Sequence, residues 1–387
     1  MLVRRLSHPS APPRPAAAQE KPQPKKWTVL VYSASDNDLY RFMKSDIDEM
    51  ETVGSDDRVN VVAQFDHGRQ GAQRLLVTKD QTKGELNSPV LQELGSTDMA
   101  SPDTLADFVK WGMEHYPAEH YFLVMSDHGD GWKGACQDST HGSWMSLPEI
   151  EEGLRTAREA TGRKIDLLGF DACLMASAEV AHQLRNEADF LVASQEVEGG
   201  AGWPYNRLLS PNALQGIQQA VALDSELTPR EMGRQVVTVA QGKQDDLPTM
   251  AAVDLSKMPA VAEAVDHFAA AVVASQVSRG SLRKLARRTE SFTGYKDLYH
   301  FAQQVSEKVE DPGLKEAAQG VMSAVGSAVY AEQHSAGYPN AHGLTVQLPN
   351  FFFSPSSAYE ETRFAQDTRW DDALQSMGKY WFWPWPL

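Results

Sequence analysis

Hydrophobic and polar positions along this chain alternate between short apolar runs and longer segments with helical spacing. Thr28-Val29-Leu30-Val31-Tyr32 is a β-branched run suited to a strand buried on both faces. Similar runs predict strands over residues 59–65, 74–78, 121–125, 165–170 and 190–194. Helical segments fall between them. Ser35-Asp36-Asn37-Asp38 offers several capping oxygens ahead of Tyr40, Phe42 and Met43. A second helix is predicted over 101–113. A third starts at the capping box Ser146-Leu147-Pro148-Glu149 and ends near Gly162. A fourth covers 174–185, with Leu174, Ala178, Ala181 and Leu184 at helical spacing. Strands and helices in this order specify an α/β fold, layered around a mostly parallel sheet.

Beyond about residue 210 the pattern becomes helix-rich, with helices predicted over 258–275 and 314–331. Residues 250–255 and 343–348 read as late strands returning to the sheet. No clean linker interrupts the chain after Lys26, so one domain is expected over 27–387. Its strand-rich core covers about 27–210, and the helix-rich remainder covers 211–387. Residues 1–26, with Pro9, Pro12, Pro13, Pro15, Pro22 and Pro24, read as a disordered, mildly basic leader. The closing Tyr380-Trp381-Phe382-Trp383-Pro384-Trp385 reads as an aromatic segment packed on the surface.

Composition narrows the function. At 387 residues and 42% hydrophobic content the chain can bury a substantial core. A net charge of -16 argues against nucleic acid and anionic membranes as partners. Cys136 and Cys173 are the two cysteines, too few for a disulfide scaffold or a thiolate zinc site, and a reducing compartment suits them. No apolar run approaches the ~20 residues of a membrane helix. The N-terminus lacks the apolar centre of about 7–15 residues of a secretory signal. A cytoplasmic location is therefore expected, or secretion if the leader's start is misassigned.

Candidate chemistry sits at two strand ends. Ser126-Asp127-His128-Gly129-Asp130-Gly131-Trp132 follows one apolar run, and Gly169-Phe170-Asp171-Ala172-Cys173-Leu174-Met175 ends another. If the strands are neighbours, a base and a nucleophile share one edge of the sheet. A helix starting at Cys173 would supply unpaired N–H groups, which favour a thiolate and an oxyanion. Alone, Cys173 also reads as a buried structural cysteine, and Asp171 as a helix cap. Asp127, His128 and Asp130 lack other placed ligands for a metal. The histidine precedes the cysteine, which disfavours an α/β-hydrolase.

These motifs resemble those of the clostripain family of cysteine peptidases, in the caspase-like clan. The resemblance runs through Asp36-Asn37-Asp38-Leu39, the His128 and Cys173 segments, Ala193-Ser194-Gln195-Glu196 and Gly202-Trp203-Pro204-Tyr205. It implies a caspase-like α/β/α sandwich and hydrolysis after basic P1 residues. Cys173 would be the nucleophile and His128 the acid–base residue. The N–H groups of Gly129 and Cys173 would form the oxyanion hole, and Asp171 would line the S1 pocket. A second S1 acid of the family has Ala201 in its place here, with Glu196 or Glu198 as substitutes. The resemblance also implies a zymogen cut between His128 and Cys173, at Lys133 or at the Arg163–Lys164 pair. No cofactor is required; calcium is allowed by the Asp residues near the first strand. Expected partners are protein or peptide substrates with exposed Arg or Lys, and an upstream activating protease. A catalytically silent scaffold recruiting partners is the alternative, although it would have no need of Cys173 and His128.

Overall fold

The structure is a computed structural model, and the residues described are 23–210, 227–243, 245–348 and 356–378. Most of the proline-rich leader and the aromatic segment from Tyr380 lie outside the described residues. The first half contains β1 (Lys25–Ser33), α1 (Tyr40–Glu51), β2 (Val59–Asp66), β3 (Ala72–Leu76), β4 (Val90–Gly95), α2 (Pro102–His115) and β5 (Ala118–Ser126). It continues with β6 (Ala135–Asp138), β7 (Ser143–Met145), α3 (Leu147–Thr161), β8 (Ile165–Asp171), α4 (Ala178–Gln183) and β9 (Ala188–Ala193). Next come α5 (Tyr205–Leu208), α6 (Pro229–Ala240), β10 (Thr249–Asp254), α7 (Met258–Ala274) and α8 (Arg279–Arg288). They are followed by β11 (Ser291–Phe292), β12 (Tyr295–Asp297), α9 (Leu298–Lys308), α10 (Pro312–Ala328), β13 (Val329–His334) and β14 (Thr345–Val346). Helices α11 (Ser357–Glu360), α12 (Arg363–Asp367) and α13 (Trp370–Met377) close the described chain.

Nine strands form one sheet in the order β13-β10-β9-β8-β5-β1-β2-β3-β4. The inner five, β9-β8-β5-β1-β2, are parallel, and an antiparallel pair flanks them on each side. Successive side chains of a strand point to opposite faces. Val29, Val31, Phe122 and Val124 thus pack on the side of α1 and α6, while Leu30, Tyr32, Leu123 and Met125 pack on the side of α2 and α3. Both faces are covered, which gives the expected three-layer sandwich. β1 pairs with β2 on one side and β5 on the other, so strand order reverses there. In such sheets ligands bind outside the carboxyl ends of the strands near the reversal. Among the described residues no helix is long and apolar enough to cross a membrane.

Several elements differ from the sequence pattern. β1 begins at Lys25, inside the expected leader, because Lys25 N–H donates to Pro117 O (3.0 Å) and Lys26 N–H to Arg58 O (2.9 Å). The capping box at Ser146 and Glu149 forms, and Gly162 ends α3 in the left-handed region. The helix expected over 314–331 stops at Ala328, and 329–334 becomes edge strand β13 against β10. Residues 345–346 do not return to the main sheet. They pair with β12 in a small second sheet, and Thr345 bridges to Ser177. Polarity alternates along 344–348, yet Thr345 and Gln347 are buried along with Leu344, Val346 and Leu348, and an alternating pattern does not name the sheet a strand joins.

Candidate active site

His128 and Cys173 follow the carboxyl ends of neighbouring parallel strands. β5 and β8 pair from Phe122–Leu167 through Ser126–Asp171. The ladder runs on through Asp127 N–H, which donates to Asp171 O (3.3 Å). His128 and Cys173 each stand two residues beyond the last pair of this register, Ser126–Asp171. The two loops touch: a methyl group on Gly129 would lie 2.5 Å from the Cys173 carbonyl oxygen and 3.0 Å from Met175 Cγ. Glycine is required here by close approach.

Buried and bonded neighbours hold the histidine loop. Asp127 is 3% exposed and accepts from Asn37 Nδ2 (2.7 Å) and from Gln137 N–H. Burial pushes its carboxyl up to about 7, although those donors pull it down. Cys136 N–H donates to His128 O (3.1 Å) and Asp130 N–H to Gly134 O (3.0 Å). These bonds bracket the Gly129–Ala135 bridge and leave the Gly129 N–H out of the hairpin ladder. His128 Nε2 contacts Asp38 Oδ1 at 2.9 Å, and that hydrogen bond holds the Asp38 carboxyl below its ordinary value. Nδ1 makes no hydrogen bond among the described residues. The Asx oxygens before α1 therefore serve the site more than the helix. Asn37 Oδ1 accepts only from Leu39 N–H, and α1 has no side-chain cap.

The cysteine loop departs from expectation. The helix after Cys173 begins only at Ala178, capped by Ser177, and runs six residues. Between them Leu174 adopts φ 68°, a left-handed conformation costing about 1–3 kcal/mol in a non-glycine residue. No helix terminus lies at Cys173 to favour the thiolate. The Sγ–H donates to Glu198 O (3.9 Å), and burial pushes the thiol above its ordinary value, aided by the nearby Glu196 and Asp171 carboxylates. Among the described residues no hydrogen bond joins Sγ to the imidazole. The free Cys136 is fully buried with a strongly raised thiol, so it is inert.

Two residues before the cysteine, Asp171 turns to the α1 face. It accepts from Tyr205 Oη (2.8 Å) and Trp203 N–H (3.4 Å), yet burial still raises its carboxyl. Glu198 lies beside it. The Glu198 carboxylate and the Trp203 indole nitrogen are buried and lie close together without a well-formed hydrogen bond, and Glu198 also interacts with the Asp171 carboxyl. Burial, and then the charge of Asp171, push the Glu198 carboxyl far up. Of the two candidate substitutes for the missing second acid, Glu198 therefore faces Asp171. Glu196 turns instead to Thr293, accepting from its Oγ1 at 2.8 Å. Ala201 is exposed, and its carbonyl accepts from Lys243 Nζ (3.4 Å).

The sequence profile of the clostripain family matches residues 31–381. The chain belongs to the clostripain family. It is 26% identical over 338 residues to clostripain of Hathewaya histolytica, covering 73% of this chain and 62% of that protein's length. A crystal structure of a secreted C11 cysteine protease from Bacteroides thetaiotaomicron, complexed with an irreversible peptide inhibitor, superposes with a TM-score of 0.66. It is 23% identical and covers 90% of this chain and 99% of its own. An inactive zymogen C11 protease from Parabacteroides distasonis gives a TM-score of 0.63 at 19% identity, with 90% and 99% coverage. At these identities the structural likeness concerns the fold. One of these relatives is secreted, which leaves the cytoplasmic expectation without support.

The interval between His128 and Cys173 in this clostripain-family chain holds the expected cleavage points. Lys133 lies in a short turn of the glycine-rich loop, its Nζ 2.6 Å from Asp130 Oδ2. Arg163 and Lys164 precede β8, at the end of the sheet opposite Cys173. Arg163 donates to Ala118 O (3.0 Å) and Glu119 O (2.7 Å), and Lys164 lies 3.7 Å from Asp189. Elsewhere Asp36, Asp66 and Asp138 bring carboxylate oxygens within 4.8 Å of one another, with Asp66 pushed up to about 7 by burial. Neither Asp127 nor Asp130 joins a metal-ligand cluster among the described residues.

Proposed function

We propose that the protein is a cysteine endopeptidase that cleaves after Arg or Lys, with Cys173 as nucleophile and His128 as acid–base residue. The observation that carries this reading is the parallel pairing of β5 with β8, whose carboxyl ends lead directly into His128 and Cys173, with the buried Asp171 carboxyl two residues before the cysteine. A substrate's cationic side chain supplies the charge that pocket lacks. The thiol then leaves the Glu198 carbonyl, passes its proton to Nδ1 of His128 and attacks the P1 carbonyl carbon. The N–H groups of Gly129 and Cys173 donate hydrogen bonds to the developing oxyanion. The imidazolium protonates the departing amine, and water, deprotonated by His128, releases the acyl group from sulfur. Asp38 acts as a positioning residue that holds Nε2–H. Its 80% exposed side chain limits its effect to about 1 kcal/mol or less.

Activation by cleavage fits Lys133 better than the Arg163–Lys164 pair. The seven residues of β8 lie between the pair and Cys173, roughly 23 Å of extended chain. A molecule cannot bring that bond to its own nucleophile without unravelling the sheet. A calcium requirement would fall to the all-oxygen set Asp36, Asp66 and Asp138, the donor type calcium takes.

The test is hydrolysis of fluorogenic peptides ending in Arg, Lys or Asp by wild type and Cys173→Ala. Signal with Arg or Lys that vanishes in the variant supports the reading. Equal signals from both proteins, or a preference for Asp, would overturn it.

A further inference from the structure

Helix α1 sits against the acid pocket on the side opposite the strands, and its inward face carries an unusual residue. Asp46 is 7% exposed and makes no hydrogen bond among the described residues. Its carboxylate aims at the same point as that of Asp171. A methyl group on Gly202 would lie 3.1 Å from Asp171 Oδ2 and 3.2 Å from Asp46 Oδ2. Gly202 also holds φ 51°, so a side chain is excluded there by both backbone and space. One turn earlier on α1, the half-exposed Phe42 lies against Gly200, its ring 3.0 Å from where a methyl would stand. The loop from Glu198 to Gly202 therefore runs along α1, with an aromatic ring beside one glycine and a carboxylate beside the other.

A buried, unpartnered carboxyl weakens a fold and gives it nothing in return. Asp46 faces Asp171, Glu49 and Tyr205, and among the described residues the cation acting on it is Lys243, which lies at the Ala201 carbonyl. Asp46, Asp171 and Glu198 thus crowd one region around Tyr205, and among the described residues Asp171 is the one that completes well-formed hydrogen bonds. Resting on the peptidase reading above, we propose that α1 is a wall of the specificity pocket. In it Asp46 is a second acid for the substrate's basic side chain, across the Gly202 gap from Asp171. Phe42 flanks the aliphatic stem of that side chain. A guanidinium, with five donors in a planar fork, can satisfy carboxylates on two sides of the pocket at once.

Such a pocket releases protons when a cation enters. Burial and the neighbouring Asp171 push Asp46 up to about 9, so it is protonated at neutral pH until a guanidinium arrives. The test uses n-butylguanidinium as probe and Cys173→Ala as host, so that binding is measured without catalysis. Calorimetry in buffers of different ionisation enthalpy counts the protons released. Asp46→Asn, in the same host, is expected to weaken binding about tenfold or more and to reduce the proton count. In the active enzyme the same change is expected to raise KM for Arg peptides about tenfold or more and to leave kcat within roughly threefold. Asparagine keeps the shape and no hydrogen bond is lost, so the variant should melt at or above the wild-type temperature. Unchanged affinity and KM in a folded Asp46→Asn protein would overturn the inference. Failure of the wild type to hydrolyse Arg or Lys peptides would instead sink the peptidase reading, and the probe's affinity would still report on Asp46.

Discussion

Replacing Gly129 with alanine tests how closely the two loops of the site are fitted. The added methyl would lie 2.5 Å from the Cys173 carbonyl oxygen, and 3.0 and 3.1 Å from Met175 Cγ and Sδ. A relaxed carbon–oxygen contact is about 3.3–3.6 Å, so the loops must part by roughly 1 Å. The backbone at Gly129 is not in the left-handed region, so the penalty is purely steric. Overpacking of this kind costs about 1–3 kcal/mol of stability. The chemical cost is larger in proportion. A displacement of ~1 Å between reacting groups lowers rate on the order of a hundredfold, or about 2.7 kcal/mol of transition-state stabilisation. Gly129→Ala is therefore expected to lose roughly a hundredfold in kcat/KM on an Arg peptide while remaining folded by circular dichroism. Iodoacetamide should still modify Cys173, since only the pairing of the loops is disturbed. Activity within threefold of wild type would show that the loops do not need this approach, and would refute the reasoning.

Tyr205→Phe removes the 2.8 Å donor to Asp171. It should cost about 1–3 kcal/mol in urea unfolding and raise the Asp171 carboxyl further. KM for Arg peptides should then rise more at pH 6 than at pH 8, because higher pH restores the carboxylate; an equal rise at both would contradict this. Alkylation of the resting enzyme by iodoacetamide should add one label at Cys173, none at Cys136, and accelerate as pH rises beyond 9. That sign follows from a thiol raised by burial; fastest reaction near pH 6–7 would show a preformed thiolate instead. Lys133→Ala should abolish self-cleavage between His128 and Cys173 at high dilution, whereas Arg163→Ala should leave it intact. Gel bands showing the reverse would refute the placement of the scissile bond.

The parallel core was legible because strands buried on both faces leave a plain mark: Thr28 to Tyr32 and Tyr121 to Met125 are runs that only a covered sheet can accept. His128 and Cys173 were legible for the same reason, since each follows such a run directly. The capping box at Ser146 and Glu149 was equally local, two side chains and two backbone N–H groups within one turn. Edge elements left weaker marks. β4 is almost wholly exposed, apolar Val90 and Leu91 included, and β13 continues a helical pattern in sequence until pairing with β10 claims it. Such choices depend on which partner offers hydrogen bonds, and that partner lies far away in the chain. The start of α4 was misread for a related reason: Leu174 is apolar at helical spacing, but it fills the core from a left-handed turn.

The chain's local pattern alone put His128 and Cys173 directly after two buried strands, and the tertiary structure made those strands neighbours. Tertiary structure decided their surroundings. It alone tied His128 to Asp38, turned Glu196 toward Thr293, and set Glu198 and Asp46 around Asp171. Asp46 reads in sequence as one more polar residue on an amphipathic helix, and nothing nearby marks it. Hydrophobic periodicity records whether a position is covered. It does not record what covers it, and the chemistry of a buried carboxylate is set by its neighbours across space.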